Sequence, residues 1–155
     1  MNLPDIFIEL LSCAVGSFFF CGIFNGRGSK LFYGALGGVI GWATYLLVGG
    51  AYPEDLISYL VASIVITLYS EIFARLKKAP TTVFLVPALI PLVPGGHLFY
   101  TMQHFINKEY DLFAQRGIYT ISVAGVLALG IMFATTVTKP IFDLIKAKSK
   151  TPNKQ

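Results

Sequence analysis

In the run Val86 to Tyr100, VPALIPLVPGGHLFY, three prolines and a Gly-Gly pair interrupt an apolar stretch. Proline has no N–H to bond the carbonyl four residues back, so Pro87, Pro91 and Pro94 release the carbonyls of Val83, Pro87 and Ile90 from a regular helix. Gly95 and Gly96 add backbone freedom beside them. Two complementary chemistries follow. Unwound carbonyls suit an ammonium group or another cation, whereas the N-terminus of the half-helix that resumes after the break offers unpaired N–H groups and a positive dipole end, which suit a carboxylate. A solute carrying both charges needs both. The expectation is an unwound, solvent-reachable region lined by Pro91, Pro94, Gly95 and Gly96, with Pro87 in the same substrate-binding segment.

A second group of residues carries charge. Glu71 is the one acid within an otherwise uncharged apolar span, and acids at membrane depth are coupling or gating candidates by default. Arg75 follows one turn later, in the favourable orientation for an i,i+4 pair and near a helix end from which charges reach the interface, so a purely structural pair is the alternative. His97, beside the break, joins Glu71 and Arg75 as a coupling or gating candidate. His97 and His104 lie seven residues apart on one helical face without a cluster of further ligands, so packing stands beside a proton or metal role. With no nucleophile motif, no catalytic residue, cofactor or metal is expected. Cys13 and Cys21 are about 12 Å apart on a helix, too far for a disulfide.

These residues need a scaffold, and composition says which kind. Of 155 residues 55% are hydrophobic and only 13% charged, and the mean hydropathy is +0.68. An average soluble domain has about 25% charged residues. The fold class expected is an all-α integral membrane protein, one five-helix domain over residues 1–155 with no room for a separate enzyme domain. The helices are predicted at about 5–25, 31–51, 55–75, 81–106 and 116–138, the fourth broken at the Pro/Gly motif, followed by a basic tail over 139–155. The first 26 residues hold no Lys or Arg, so the first run is read as a retained helix rather than a signal peptide. The second run carries Gly34, Gly37, Gly38 and Gly41, spaced to let another helix approach closely. Tyr52-Pro-Glu-Asp55 is read as an acidic turn and helix start, and Lys139-Pro140 as the end of the fifth helix.

Residues 81–106 would span about 39 Å as a continuous helix, against roughly 30 Å of hydrocarbon. One crossing with an unwound middle fits, and a re-entrant hairpin is the alternative. With one full crossing and the N-terminus outside, the inner segments carry ten of the twelve basic residues: Arg27 and Lys30, then Arg75, Lys77 and Lys78, then the five lysines of the tail. Only Lys108 and Arg116 lie outside, so the positive-inside rule supports N-out, C-in. The net charge of +4 is thereby a topology signal, and no nucleic-acid partner is expected.

Glu71-Ile-Phe-Ala-Arg75, Pro80-Thr-Thr-Val-Phe-Leu-Val-Pro87 and Ile90-Pro-Leu-Val-Pro-Gly95 together resemble the threonine/serine exporter family, specifically its short, YjjB-like half. The resemblance rests on the third and fourth helices, and elsewhere on length, helix count and order. It implies a secondary-transporter subunit in a bacterial-type plasma membrane, exporting threonine, serine or small carboxylates such as dicarboxylates and driven by the proton gradient. In that family two five-helix halves occur fused in one chain or as two chains, the longer with an amidase-like region. The implied partners are membrane lipid, a small amino-acid or carboxylate substrate, and either further copies of this chain or a longer five-helix partner. The family motif falls on Glu71, Arg75, Pro80, Pro87, Pro91, Pro94 and Gly95. A non-transporting scaffold subunit and a channel-like pore using the freed carbonyls as a filter are the alternatives.

Overall fold

The computed structural model describes residues 3–49 and 56–149, without the side chains of 3, 139, 141 and 143–149. The expected turn at Tyr52-Pro-Glu-Asp55 and the end of the tail lie outside the described residues. Every described element is helical: α1 (Leu3–Ile23), α2 (Ser29–Gly49), α3 (Leu56–Leu76), α4 (Thr82–Leu89), a 3₁₀ turn (Ile90–Leu92), α5 (Gly95–Ile106) and α6 (Tyr110–Ser149). Four of these helices are long and apolar enough to cross a membrane, and the pair Thr82–Leu92 and Gly95–Ile106, bent by 51°, forms a broken fifth candidate.

α3 is the hub, packing against α2, α4 and α6. Two of its buried hydroxyls are satisfied locally: Thr67 Oγ1 donates to the Ser63 carbonyl at 2.6 Å and Ser63 Oγ to the Leu60 carbonyl at 2.8 Å. Small side chains on this face then allow close approach. A Cβ at Gly130 of α6 would sit 1.9 Å from Ser63 Oγ, so only glycine lets α6 lie there. Tyr59, Ala62 and Ile66 of α3 close a buried cluster with Ala88, Leu92, Val123 and Leu127.

The glycines of α2 are spent inside the subunit. Gly34 and Gly38 face α1, where an added Cβ would meet Cys21 Sγ at 2.6 Å and Ser17 Oγ at 1.9 Å respectively. Gly37 and Gly41 face the other way, onto Ala88 and Tyr69 at 3.0 Å and onto Ile66 at 2.7 Å. Two small-residue stripes thus clamp α2 between α1 on one side and α3 and α4 on the other.

Three helices end in the same hydrogen-bonded turn without a glycine. After α1 the N–H of Gly26 bonds the Cys21 carbonyl at 2.8 Å and that of Asn25 bonds Gly22 at 3.3 Å, with Asn25 at φ 63°. The same pair of bonds follows α3, with Lys78 at φ 47°, and α5, with Lys108 at φ 61°. This is the double carbonyl capture of a Schellman turn, placing two lysines in a left-handed conformation that favours glycine.

Two boundaries differ from the sequence reading. α6 begins at Tyr110 rather than near 116, since Asp111 in its first turn favours the positive end of the helix dipole. It also runs through Pro140 to Ser149 instead of ending there. Pro140 is exposed, so the carbonyl it frees can be solvated and the helix need not stop. Residues 139–149 of the expected tail are therefore helical.

Because Gly38 has no space for a methyl group while an added Cβ at Gly125 meets nothing within 4 Å, Gly38→Ala should lower the thermal stability of the detergent-solubilised protein by about 1–3 kcal/mol. Gly125→Ala should be neutral or slightly stabilising. Equal melting temperatures for the two variants would contradict the α1–α2 packing. Replacing the left-handed Lys108 by glycine should raise stability by about 0.5–1 kcal/mol in the same assay.

Candidate functional site

The fourth segment breaks where its donors run out. Pro91 opens the 3₁₀ turn, Val93 is extended (φ −64°, ψ 127°) and Pro94 turns the chain (φ −75°, ψ 55°) before α5 begins. The unwound stretch is therefore Val93-Pro94, shorter than expected. Gly95 and Gly96 are not part of it: they form the first turn of α5, where N–H groups have no helical carbonyl behind them to bond, so the missing N–H of an N-cap proline costs nothing. The N–H of Gly95 bonds the Val93 carbonyl at 2.7 Å, and Pro94 supplies no side-chain cap, so the N–H groups that can meet an external acceptor are the next two, of Gly96 and His97.

Each released carbonyl was expected to need a partner, and two have one. The Ile90 carbonyl accepts the N–H of Val93 at 3.2 Å. The Val83 carbonyl, released by Pro87, accepts the buried thiol of Cys21 at 3.5 Å. Pro87 itself is fully buried and takes no part in the cavity at the break.

That cavity has a volume of about 500 Å³, inside the roughly 300–1,000 Å³ range of small-molecule sites. Pro91, Val93, Pro94, Gly95 and Gly96 form one wall, His97, Tyr100 and His104 of α5 continue it, and Trp42 of α2, Tyr59 of α3 and Arg116 of α6 complete it. Gly95 and Gly96 are glycine for neither backbone nor packing reasons: neither has a left-handed φ, and an added Cβ meets nothing within 4 Å at either. Their effect is to keep the cavity wall clear.

The polar groups of the wall are held from behind. The indole N–H of Trp42 donates to Glu9 Oε2 of α1 at 3.1 Å, and its ring stacks on Tyr45, centroids 5.0 Å apart, which in turn meets Tyr59 at 4.7 Å. The His97 ring lies 4.8 Å from that of Tyr119. His104 Nδ1 is 2.5 Å from Glu109 Oε2 across the α5–α6 turn. Among the described residues no group of three or more His, Cys, Asp or Glu side chains is placed to hold a metal ion.

Glu71 and Arg75 are elsewhere. Tyr59 and Glu71 are twelve residues apart on α3, about 18 Å along its axis. Glu71 is 6% exposed. Its Oε2 pairs with Arg75 Nη1 and its Oε1 accepts the hydroxyl of Thr81, at 3.4 Å, just before α4. The Arg75 guanidinium lies 3.8 Å above the Phe142 ring of α6. One ion pair thus ties the ends of α3, α4 and α6 together.

A family model described as "Threonine/Serine exporter, ThrE" matches residues 9–137. The chain belongs to the threonine/serine exporter family. It is a multi-pass membrane protein and a transporter subunit of the exporter type. No curated protein matches it and no solved structure does. Within this exporter fold the structure brings Pro91, Pro94, Gly95, Gly96 and His97 to one cavity and leaves Pro87, Glu71 and Arg75 outside. Trp42, Tyr59, Tyr100 and Arg116 were not singled out by sequence as site residues. The one signal for Trp42 was that Glu9, an acid inside an apolar run, requires a donor.

Arg75→Gln leaves a buried carboxylate with Thr81 as its remaining side-chain partner, whereas Glu71→Gln removes the charge and keeps the shape. Arg75→Gln should therefore destabilise the exporter by about 1–3 kcal/mol more than Glu71→Gln, read from melting in detergent. Equal losses would mean that the pair is spectator to the fold.

Proposed function

We propose that this chain is one half of a proton-driven secondary transporter that moves threonine, serine or a small carboxylate outward through the bacterial inner membrane. The observation that carries the proposal is the cavity at the break, which is lined together by the first turn of α5, where side-chain capping is absent, by Arg116 and by Trp42. The first two suit a carboxylate, and the indole face suits an ammonium group. Pro91, Pro94, Gly95 and Gly96 bind through the shape and backbone of the wall, with His97 beside them. Pro87 supports the segment from behind.

The bent pair reads best as one crossing. Its two arms are each about 18 Å long, and at a bend of 51° they span about 32 Å end to end, close to the roughly 30 Å hydrocarbon thickness. A hairpin would need a near reversal of direction. Arg75 and Lys77, which contact Phe142 and Tyr33 respectively, then share the cytoplasmic end with Arg27 and Lys30, which supports N-out, C-in. On this reading the Glu71–Arg75–Thr81 network with Phe142 is the closed inner gate. α5 packs chiefly on α6 and exposes Leu98, Phe99, Met102 and Phe105, which supports a second half, a copy of this chain or a longer partner, completing the path.

Flux of labelled threonine into sealed inverted vesicles tests this directly. The expected result is saturable uptake driven by an inside-acid gradient. Gly95→Leu, which fills the cavity without backbone strain, should lower uptake at least tenfold, a barrier increase of about 1.4 kcal/mol, with insertion and melting temperature unchanged. Wild-type uptake in that variant would remove the cavity from the mechanism. Glu71→Gln should raise downhill leak relative to uphill accumulation, as expected of a weakened gate.

A further inference from the structure

α1 and α2 meet along an antiparallel seam in which Cys21 faces Gly34, Ser17 faces Gly38 and Glu9 meets Trp42. The last pair departs from the small-residue pattern. Glu9 lies about 9 Å along α1 from its first residue, inside a candidate span. An acid at that depth needs a reason beyond packing. Its partner is the indole N–H of the ring that walls the cavity, so the carboxylate sits at the N–H edge of that ring, beside the wall a ligand's ammonium group would meet.

Resting on the transport reading above, we propose that Glu9 is the shared counter-charge of the exchange: its single negative charge is held either by a proton or, through the Trp42 ring, by the ammonium group of the solute. When Glu9 is ionised, the indole N–H is fixed by a charge-assisted hydrogen bond and the negative charge at the ring's edge favours a cation in the cavity. Uptake of a proton from water neutralises the carboxylate, weakens that bond and removes the attraction, so the ammonium group leaves. Two cations competing for one charge give antiport, and linkage makes the effect mutual: bound solute must lower the pH at which Glu9 takes its proton.

Other titratable groups are few on this side. α1 packs against α2, α4 and the 3₁₀ turn. Residues 82–92 of the last two carry no titratable side chain. α2 contributes Tyr45 beside Trp42, with Tyr33 and Lys30 more than two turns further along, and α1 itself has Asp5 and Cys13 one turn to either side of Glu9. Across the ring, the cavity holds Tyr59, Tyr100, His97, His104 and Arg116.

Trp42 is the chain's single tryptophan, so emission of the purified full-length protein in lipid vesicles free of any other protein, excited at the red edge where tyrosine does not absorb, reports on Trp42. The expected result is a pH-dependent step in Trp42 emission and in its quenching by acrylamide, both lost in Glu9→Gln, whose amide oxygen still accepts the indole N–H and holds the ring. Saturating threonine should move the step to lower pH, by about one unit if ionised Glu9 binds tenfold more tightly than neutral Glu9. A step that survives Glu9→Gln and disappears in His97→Gln or His104→Gln would overturn the proposal. So would threonine that is transported yet leaves the step in place. If threonine is neither transported nor bound, the transport reading fails on its own, and acrylamide quenching that ignores the Glu9 step would then show that Glu9 does not govern the cavity wall.

Discussion

A backbone carbonyl in hydrocarbon that loses its helical donor must find another, and the fourth segment of this chain loses three. Much of the fold can be traced to that requirement. The Val83 carbonyl takes the thiol of Cys21, which brings α1 against α4. For Cys21 to reach it, α2 must lie close enough that a side chain at Gly34 would overlap the sulfur. The glycine stripe of α2 and the prolines of α4 therefore describe one geometry seen from two helices. Further along, the Ile90 carbonyl is closed by a local bond to Val93, and that local closure bends the segment and opens the cavity.

α3 meets the same requirement differently. The hydroxyls of Ser63 and Thr67 bond back to carbonyls of their own helix, so these buried polar groups sit at the centre of the bundle without a partner from elsewhere. Because these side chains are short, α2, α4 and α6 all approach it closely. The cost of carrying Glu71 into this core is offset by Arg75 and Thr81, and only at the end of α3, where the guanidinium also covers Phe142.

What could be read in the sequence was what local chemistry decides. Missing proline donors mark the break, glycine spacing marks the tight faces, and the one-turn spacing of Glu71 and Arg75 marks their pair. Three kinds of feature were not legible. Gly95 and Gly96 look like unwinding residues but begin a helix, because a first turn demands little of its residues and the break was already made by Pro94. Lys78 and Lys108 take the left-handed end position that composition assigns to glycine. The far walls of the cavity, Trp42, Tyr59 and Arg116, come from three other helices, and nothing local to those residues announces that they converge. The glycine face of α2, read as a surface for close helix approach, is filled from within by Ser17, Cys21, Ile66 and Ala88.

The cavity and the ion pair lie at different heights on α3, separated by about 18 Å along its axis. α4 links them: it starts beside Thr81, which is tied to Glu71, and ends at the break that walls the cavity. Between these points it is packed against α1, α2 and α3 through Phe84, Pro87 and Ala88, all buried. At Val93-Pro94 the helical ladder is interrupted: the Val93 N–H closes the 3₁₀ turn on Ile90 and the Pro94 carbonyl accepts the Leu98 N–H that opens α5. The break at the cavity and the Glu71–Arg75 ion pair thus stand at opposite ends of the same packed segment.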